Sequence, residues 1–426
     1  MTGMPGAGVL RRAAITLLVP VTMAAAGCTR LANLRGDRIV LDDYQCFAPL
    51  YNPDLYPPET LLFSDIDLDT LRETAGFWRA EVGMDGFILG GIAGWDDDPV
   101  CVRSMREKLA ATNRACAAQG ITANFIKVSL GYGTLPAWQD AEAWKRIADS
   151  FGAAAELAHE TGCRGILIDT EPYTVPLWNP EAPRFGGCGA DLLRDAVRRA
   201  GAGVMGAMAD RFPGIEIIVI PDGAYRWFAK GEGGYAFWIA FFNGLISAGT
   251  RGGVVVGAES SYHATDTQTL FRLYYTLNSI MMRESSDPVY WQTRCSIALG
   301  AWPLGYYKVE RDERGRMTGV IDSAGEPMVS SKVDKSAYYT AEVFDRQFRT
   351  IESLCPRYAW IYAHGASWWQ DDAGGLTHSA EVPVQALPTV PDIDQYYEVV
   401  RRSERPDLRE YLRVVAGEDE RLRTGP

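Results

Sequence analysis

Residues 165–174 read GILIDTEPYT. A short apolar run closes on two acids, Asp169 and Glu171, two positions apart, and Pro172 then stops regular structure. The run is continuous in its apolarity rather than alternating, which is the pattern of a strand buried on both faces of a parallel sheet. Side chains two apart on a strand share a face, so both carboxylates can point the same way.

The same unit recurs along the chain, a short β-rich run followed by a longer helical one. Strands are expected near 38–47 (RIVLDDYQCF), 85–92, 122–130, 165–174, 215–222 (IEIIVIPD), 253–260 (GVVVGAES), 295–302 (CSIALGAW) and 357–365 (RYAWIYAHG). Helices are expected near 67–83, 98–120, 140–161, 190–212, 234–249, 267–282 and 336–354. Gly and Pro mark the joints, as at Gln119-Gly120 and Pro213-Gly214. Eight such strands predict an α/β chain closing as a (β/α)8 TIM barrel over 38–366. An open doubly wound sheet is the weaker alternative, because no GxGxxG follows the first strand. The charged, Gly-containing excursion 303–335 reads as a lid or a surface insertion, and 367–426 as a strap and helix over the barrel.

The first 27 residues stand apart. Arg11 and Arg12 precede the apolar run AAITLLVPVTMAA and then Ala25-Ala26-Gly27-Cys28, the order of a secretory signal. The small residues before Cys28 resemble the bacterial lipobox, which implies lipidation at Cys28, a linker over 28–37 and a cell-envelope location held by a membrane anchor. Without those residues the charge is about 40 − 54 = −14, which argues against nucleic acid as a partner. The seven later cysteines form no CxxC and no Cys/His cluster; Cys163 and Cys295, at strand starts, read as free buried thiols.

In a barrel of this kind chemistry gathers at the C-terminal strand ends. Those ends supply Asp42 and Asp43, Trp95, Lys127, Asp169 with Glu171 and Tyr173, Asp222 with Tyr225, Glu259 with Tyr262 and His263, Trp302, then His364 and Trp368-Trp369. Carboxylates and tryptophans dominate. Indole faces suit the C–H faces of sugar rings, and paired acids suit glycoside hydrolysis, which needs one protonated and one ionised carboxyl. Asp42, Asp43, Trp95, Lys127, Tyr173, Tyr225, His263, Trp302, His364 and Trp368 are therefore candidate sugar contacts. The structural alternative for Asp169 and Glu171 is an ion pair with Lys127 on the neighbouring strand.

These strand ends resemble those of the barrel glycoside hydrolases. Thr170-Glu171-Pro172 resembles the Asn-Glu-Pro of the large retaining clan, in which the Glu is acid/base; here Thr170 replaces Asn, and strand seven has no Glu for that clan's nucleophile. Asp169-Thr170-Glu171 is similar to the end of the chitinase-type motif, whose last Glu is the acid, but Arg164 and Leu167 stand where that motif has Asp. In a third group the strand-four acid is nucleophile and the strand-six acid is acid/base, a role Glu259 would fit. The resemblance implies Glu171 as general acid, Glu259 or Asp222 as nucleophile or base, and Asp169 tuning Glu171, acting on an oligo- or polysaccharide without a cofactor. A non-catalytic glycan-binding envelope protein is the alternative. A metal amidohydrolase is disfavoured because none of the four histidines lies on strand one. A Schiff-base lyase is disfavoured because nearby acids keep Lys127 protonated.

Overall fold

The computed structural model describes residues 58–64, 66–97, 99–130, 135–173, 176–182, 189–304, 310–311, 317–319, 339–363, 368 and 392–402. Eight parallel strands close a barrel: β1 (Glu59–Ser64), β2 (Gly86–Leu89), β3 (Phe125–Ser129), β4 (Gly165–Asp169), β5 (Glu216–Ile220), β6 (Val254–Ala258), β7 (Ser296–Ala301) and β8 (Tyr358–Tyr362). Each strand pairs with its neighbours in sequence, and β1 pairs with β8 to complete the ring.

The helices are α1 (Leu68–Phe77), α2 (Pro99–Ser104), α3 (Arg106–Ala118), α4 (Ala141–Thr161), α5 (Ala190–Arg211), α6 (Gly223–Phe228), α7 (Trp238–Ser247), α8 (Thr267–Glu284), α9 (Pro288–Arg294), α10 (Ala341–Leu354) and α11 (Ile393–Arg401). Asp67, Asp140, Asp266 and Asp287 accept backbone N–H groups at the starts of α1, α4, α8 and α9, satisfying donors that a helix leaves open. Gly162 ends α4 with a φ of 82°, a conformation that favours glycine.

Seven expected strands fall where the sequence places them; the first does not. β1 is ETLLFS at Glu59–Ser64, and the barrel closes without 38–47, a segment outside the described residues. Two β-rich runs compete for one place. The later one reaches the Asp67 cap of α1 through two residues, whereas the earlier would need a connection of about 20, long for a βα joint. Asp42 and Asp43 therefore do not end a barrel strand, and their positions also lie outside the described residues. The sequence also gave no sign of α6 or α9, short helices inside stretches read as loop.

The barrel interior is packed rather than hollow, with Leu61, Phe125, Leu167, Ile218, Tyr358 and Trp360 among its filling. Trp360 depends on glycine across from it. A Cβ at Gly300 would lie 2.3 Å from Trp360 Cε2, and one at Gly257 would lie 3.1 Å from Trp360 Cη2. At the N-terminal strand ends Arg164 meets Glu59 at 3.1 Å and Glu216 at 3.7 Å. Arg357 meets Glu216 at 2.8 Å, and the Tyr358 hydroxyl donates to the same carboxylate at 2.5 Å. These ion pairs tie the barrel floor, so Arg164 is structural and far from the mouth.

Outside the barrel, α11 packs on α10, with Tyr396 stacked against Phe344. In the excursion, Glu310–Arg311 and Met317–Gly319 pair antiparallel. Cys163 is a buried free thiol that receives the Asn113 amide at 3.1 Å, whereas the free thiol of Cys295 is only half-buried. Among the described residues no helix is long and apolar enough to cross a membrane.

Candidate active site

β4 ends at Asp169, which lies level with Ser129 of β3 and Ile220 of β5. Its carboxylate is fully buried and well partnered. Lys127 Nζ stands 3.3 Å from Oδ2, Ser129 Oγ donates to Oδ2 at 3.0 Å, and the Glu171 N–H donates to Oδ1 at 3.1 Å. Lys127 also sits 4.8 Å over the Phe63 ring. So the lysine pairs with Asp169 alone of the two strand-four acids, and the chain leaves strand geometry before Glu171. Removing one partner of a buried ion pair leaves an uncompensated charge. Lys127→Met is expected to lower stability by about 3 kcal/mol, read from the midpoint of urea unfolding. An unchanged midpoint would mean that Ser129 and the backbone satisfy Asp169 without the lysine.

Glu171 turns toward the barrel axis. Its carboxylate accepts from the Tyr173 hydroxyl and lies 3.9 Å from the guanidinium of Arg226, which also meets the Glu259 carboxylate at 3.6 Å. Glu259 comes from the 3₁₀ turn Glu259–Ser261 that follows β6. Tyr262, in the next turn position, donates to Glu259 Oε1 at 3.5 Å and receives Trp360 Nε1 at 2.9 Å. Acids that follow strands four and six thus meet on one guanidinium.

The energetics agree with that geometry. Burial raises the Glu171 pKa, the Asp169 charge adds to it, and Arg226 opposes both. Burial raises Glu259 further, with the Glu171 charge next and Arg226 again opposed. Glu259 is the more enclosed, its side chain 10% exposed against 23% for Glu171. Glu171, with Tyr173 donating to it, is the better anion.

Asp222 follows β5 and is fully buried. Its Oδ1 accepts the Ser260 N–H at 3.3 Å and lies 3.8 Å from Arg226 Nε, so it braces the β6 turn and the arginine rather than facing the opening. Arg226 is the residue the sequence left out. It lies on α6, four residues after Asp222, and its guanidinium reaches Glu259 at 3.6 Å and Glu171 and Glu232 at 3.9 Å each. The Asp-to-Arg spacing of four was the available signal, hidden because the three glycines of 223–233 give that stretch a loop character.

The aromatic candidates divide. Trp302 is nearly buried and packs against Tyr262 at 5.8 Å and Tyr362 at 5.2 Å, filling the top of the core. His263 is exposed, 6.2 Å from Trp302. Trp368 is fully buried between Phe344 of α10 and Tyr397 of α11, outside the barrel, which removes it from any cleft. Trp178 is also core, its Nε1 donating to the Thr170 carbonyl at 2.7 Å. Tyr225 is half-buried on α6 beneath Lys230, and Trp95 is half-buried after β2. Tyr173 remains 47% exposed beside Glu171, the aromatic face most open at the acid pair. His364 and Cys28 lie outside the described residues. Among the described residues no group of three His, Cys, Asp or Glu side chains is arranged to hold a metal ion.

No protein-family model matches this chain, and no curated protein does. Among solved structures it is similar to a family 39 glycoside hydrolase from Bacteroides cellulosilyticus WH2, with 12% identity over 83% of this chain and 65% of that one and a TM-score of 0.46. It is similar to a chitinase from Bacteroides thetaiotaomicron, with 12% identity, 82% and 97% coverage and a TM-score of 0.41. It is also similar to an Anabaena variabilis protein described as a sugar phosphate isomerase/epimerase, with 9% identity, 83% and 99% coverage and a TM-score of 0.43. Identities this low carry no residue role from those proteins to this one.

Proposed function

We propose that this protein is a glycoside hydrolase acting on an oligo- or polysaccharide, with Glu259 as the acid and Glu171 as the carboxylate that attacks. The observation that carries this reading is the approach of both carboxyls to one guanidinium at the barrel mouth, Arg226 standing 3.9 Å from Glu171 and 3.6 Å from Glu259. In a retaining reaction Glu259 would protonate the glycosidic oxygen as its bond to the anomeric carbon breaks, while Glu171 forms the new bond to that carbon from the opposite face, at a carboxyl separation of about 5–5.5 Å. Asp169, held by Lys127, raises the cost of a second negative charge nearby. Tyr173 supplies an exposed ring beside the reacting bond.

A second reading is a glycan-binding barrel without chemistry. Arg226 favours it, because a cation among four carboxylates can serve as a purely structural balance. Incubation with a panel of oligosaccharides, followed by proton NMR of the products, separates the two. A product whose first-formed anomer keeps the substrate configuration supports the hydrolase. Binding without turnover across the panel supports the second reading.

Export and attachment through lipid at Cys28 are part of the same proposal. They would place the site in the cell envelope, facing extracellular or periplasmic glycans. Intact-mass measurement of the membrane fraction, with and without Cys28→Ala, tests this.

A further inference from the structure

We propose that Arg226 is a positioning residue for the carboxyl pair: its guanidinium, seated among Glu171, Asp222, Glu232 and Glu259, keeps Glu171 and Glu259 facing each other with a single proton between them. The inference rests on the pair being the reactive centre, but its test needs no substrate.

Four carboxylates surround Arg226 at 3.6–3.9 Å, and the Tyr235 ring lies 5.3 Å from its Cζ. A guanidinium that neutralised one acid would grip it with two parallel hydrogen bonds. Here Nε makes no hydrogen bond, and Oδ2 of the buried Asp222 makes none either. The charge is shared among several acids from three directions. Asp222, one turn back on α6, sets where it sits.

That placement fixes the proton count by opposing effects. Two acids in contact cannot both ionise cheaply, so one proton stays. Burial alone would favour two protons and leave no anion to attack. A cation within 4 Å of both makes the second proton unfavourable. The other groups that bear on the pair are Asp169 and Tyr173 at the β4 end, Asp222 before α6, Tyr235 after it and Tyr262 after β6, with Glu232 on Arg226 and Lys127 on Asp169 behind them. Of these only Lys127 is a cation, and it is engaged by Asp169. Among the described residues Arg226 is thus the cation that meets both members of the pair.

Infrared titration of protein carrying ¹³C-labelled glutamate tests this, with Glu171→Gln and Glu259→Gln assigning the bands. The full-length protein is expected to show one protonated pair carboxyl near neutral pH, gaining a second only on acidification. In Arg226→Gln the second proton is expected to bind at higher pH, because the charge that favoured the carboxylate is gone. Arg226→Lys keeps a cation and is expected to retain the single-proton state. If hydrolysis is detected, the acid limb of kcat/KM should move to higher pH in Arg226→Gln with KM little changed, a shift that a merely structural residue would not produce. An unchanged titration in Arg226→Gln overturns the proposal. If that variant does not fold, two protonated pair carboxyls in Arg226→Lys at neutral pH overturn it equally. Wild-type protein that hydrolyses nothing yet shows the expected titration shift would defeat the hydrolase reading and leave this one standing.

Discussion

Glu171→Gly and Glu259→Gln are each expected to lower kcat by about 10²–10⁴-fold, the range that follows loss of a proton-transfer or nucleophilic group. The two losses differ in how azide rescues them. With Glu171 gone, azide takes the vacated place, attacks from the same face and gives a glycosyl azide of inverted configuration. With Glu259 neutralised, Glu171 still forms the glycosyl-enzyme, and azide attacks from the opposite face with net retention. Rescue in the reverse sense would exchange the two roles. Neither variant should be less stable, because each removes one of two buried acids that repel.

The pH dependence has a definite sign. Both acids are raised above the ordinary glutamate value of 4.5 in the folded chain. In the unfolded chain they would ionise freely near that value, so the native state holds the extra proton as pH rises. The stability contributed by that proton is complete below the unfolded value and is lost as pH climbs through the folded one. The same proton loss sets the basic limb of activity.

Trp360→Ala is expected to cost about 3–5 kcal/mol in unfolding free energy, measured by urea denaturation. The indole fills the middle of the barrel against two glycines, so neighbouring Cβ atoms cannot close over the space. The effect should reach the site as well. Trp360 donates to the Tyr262 hydroxyl, which donates to Glu259. Trp360→Phe keeps most of the volume and should show a small loss of stability. If Trp360→Ala unfolds at the wild-type midpoint, the ring does not bear on the core as described.

Most of the barrel was legible because buried parallel strands write themselves as apolar runs and the helices between them carry ordinary caps. β1 was misplaced because two such runs lie in tandem, and periodicity cannot tell which one pairs with β8. The acids of strands four and six were legible by position alone. Their approach to one arginine was not, since it depends on the 3₁₀ turn that carries Glu259 and on the helix that carries Arg226. Arg226 was hidden in a Gly-rich stretch that conceals a six-residue helix. Trp368 misled because an indole after strand eight fits a cleft and an outer helix layer equally well.

The fit between Trp360, Gly257 and Gly300 reaches beyond this one molecule. A replacement at Gly300 cannot be accommodated while the indole stays where it is, and one at Gly257 must displace Ile220 and press on the ring, so drift at these sites is expected to be concerted. In relatives of this chain a side chain at 300 should arrive together with a smaller ring or an aliphatic group at 360, and lineages that keep the tryptophan should keep both glycines. The three positions would be inherited as one character, although they lie on three different strands.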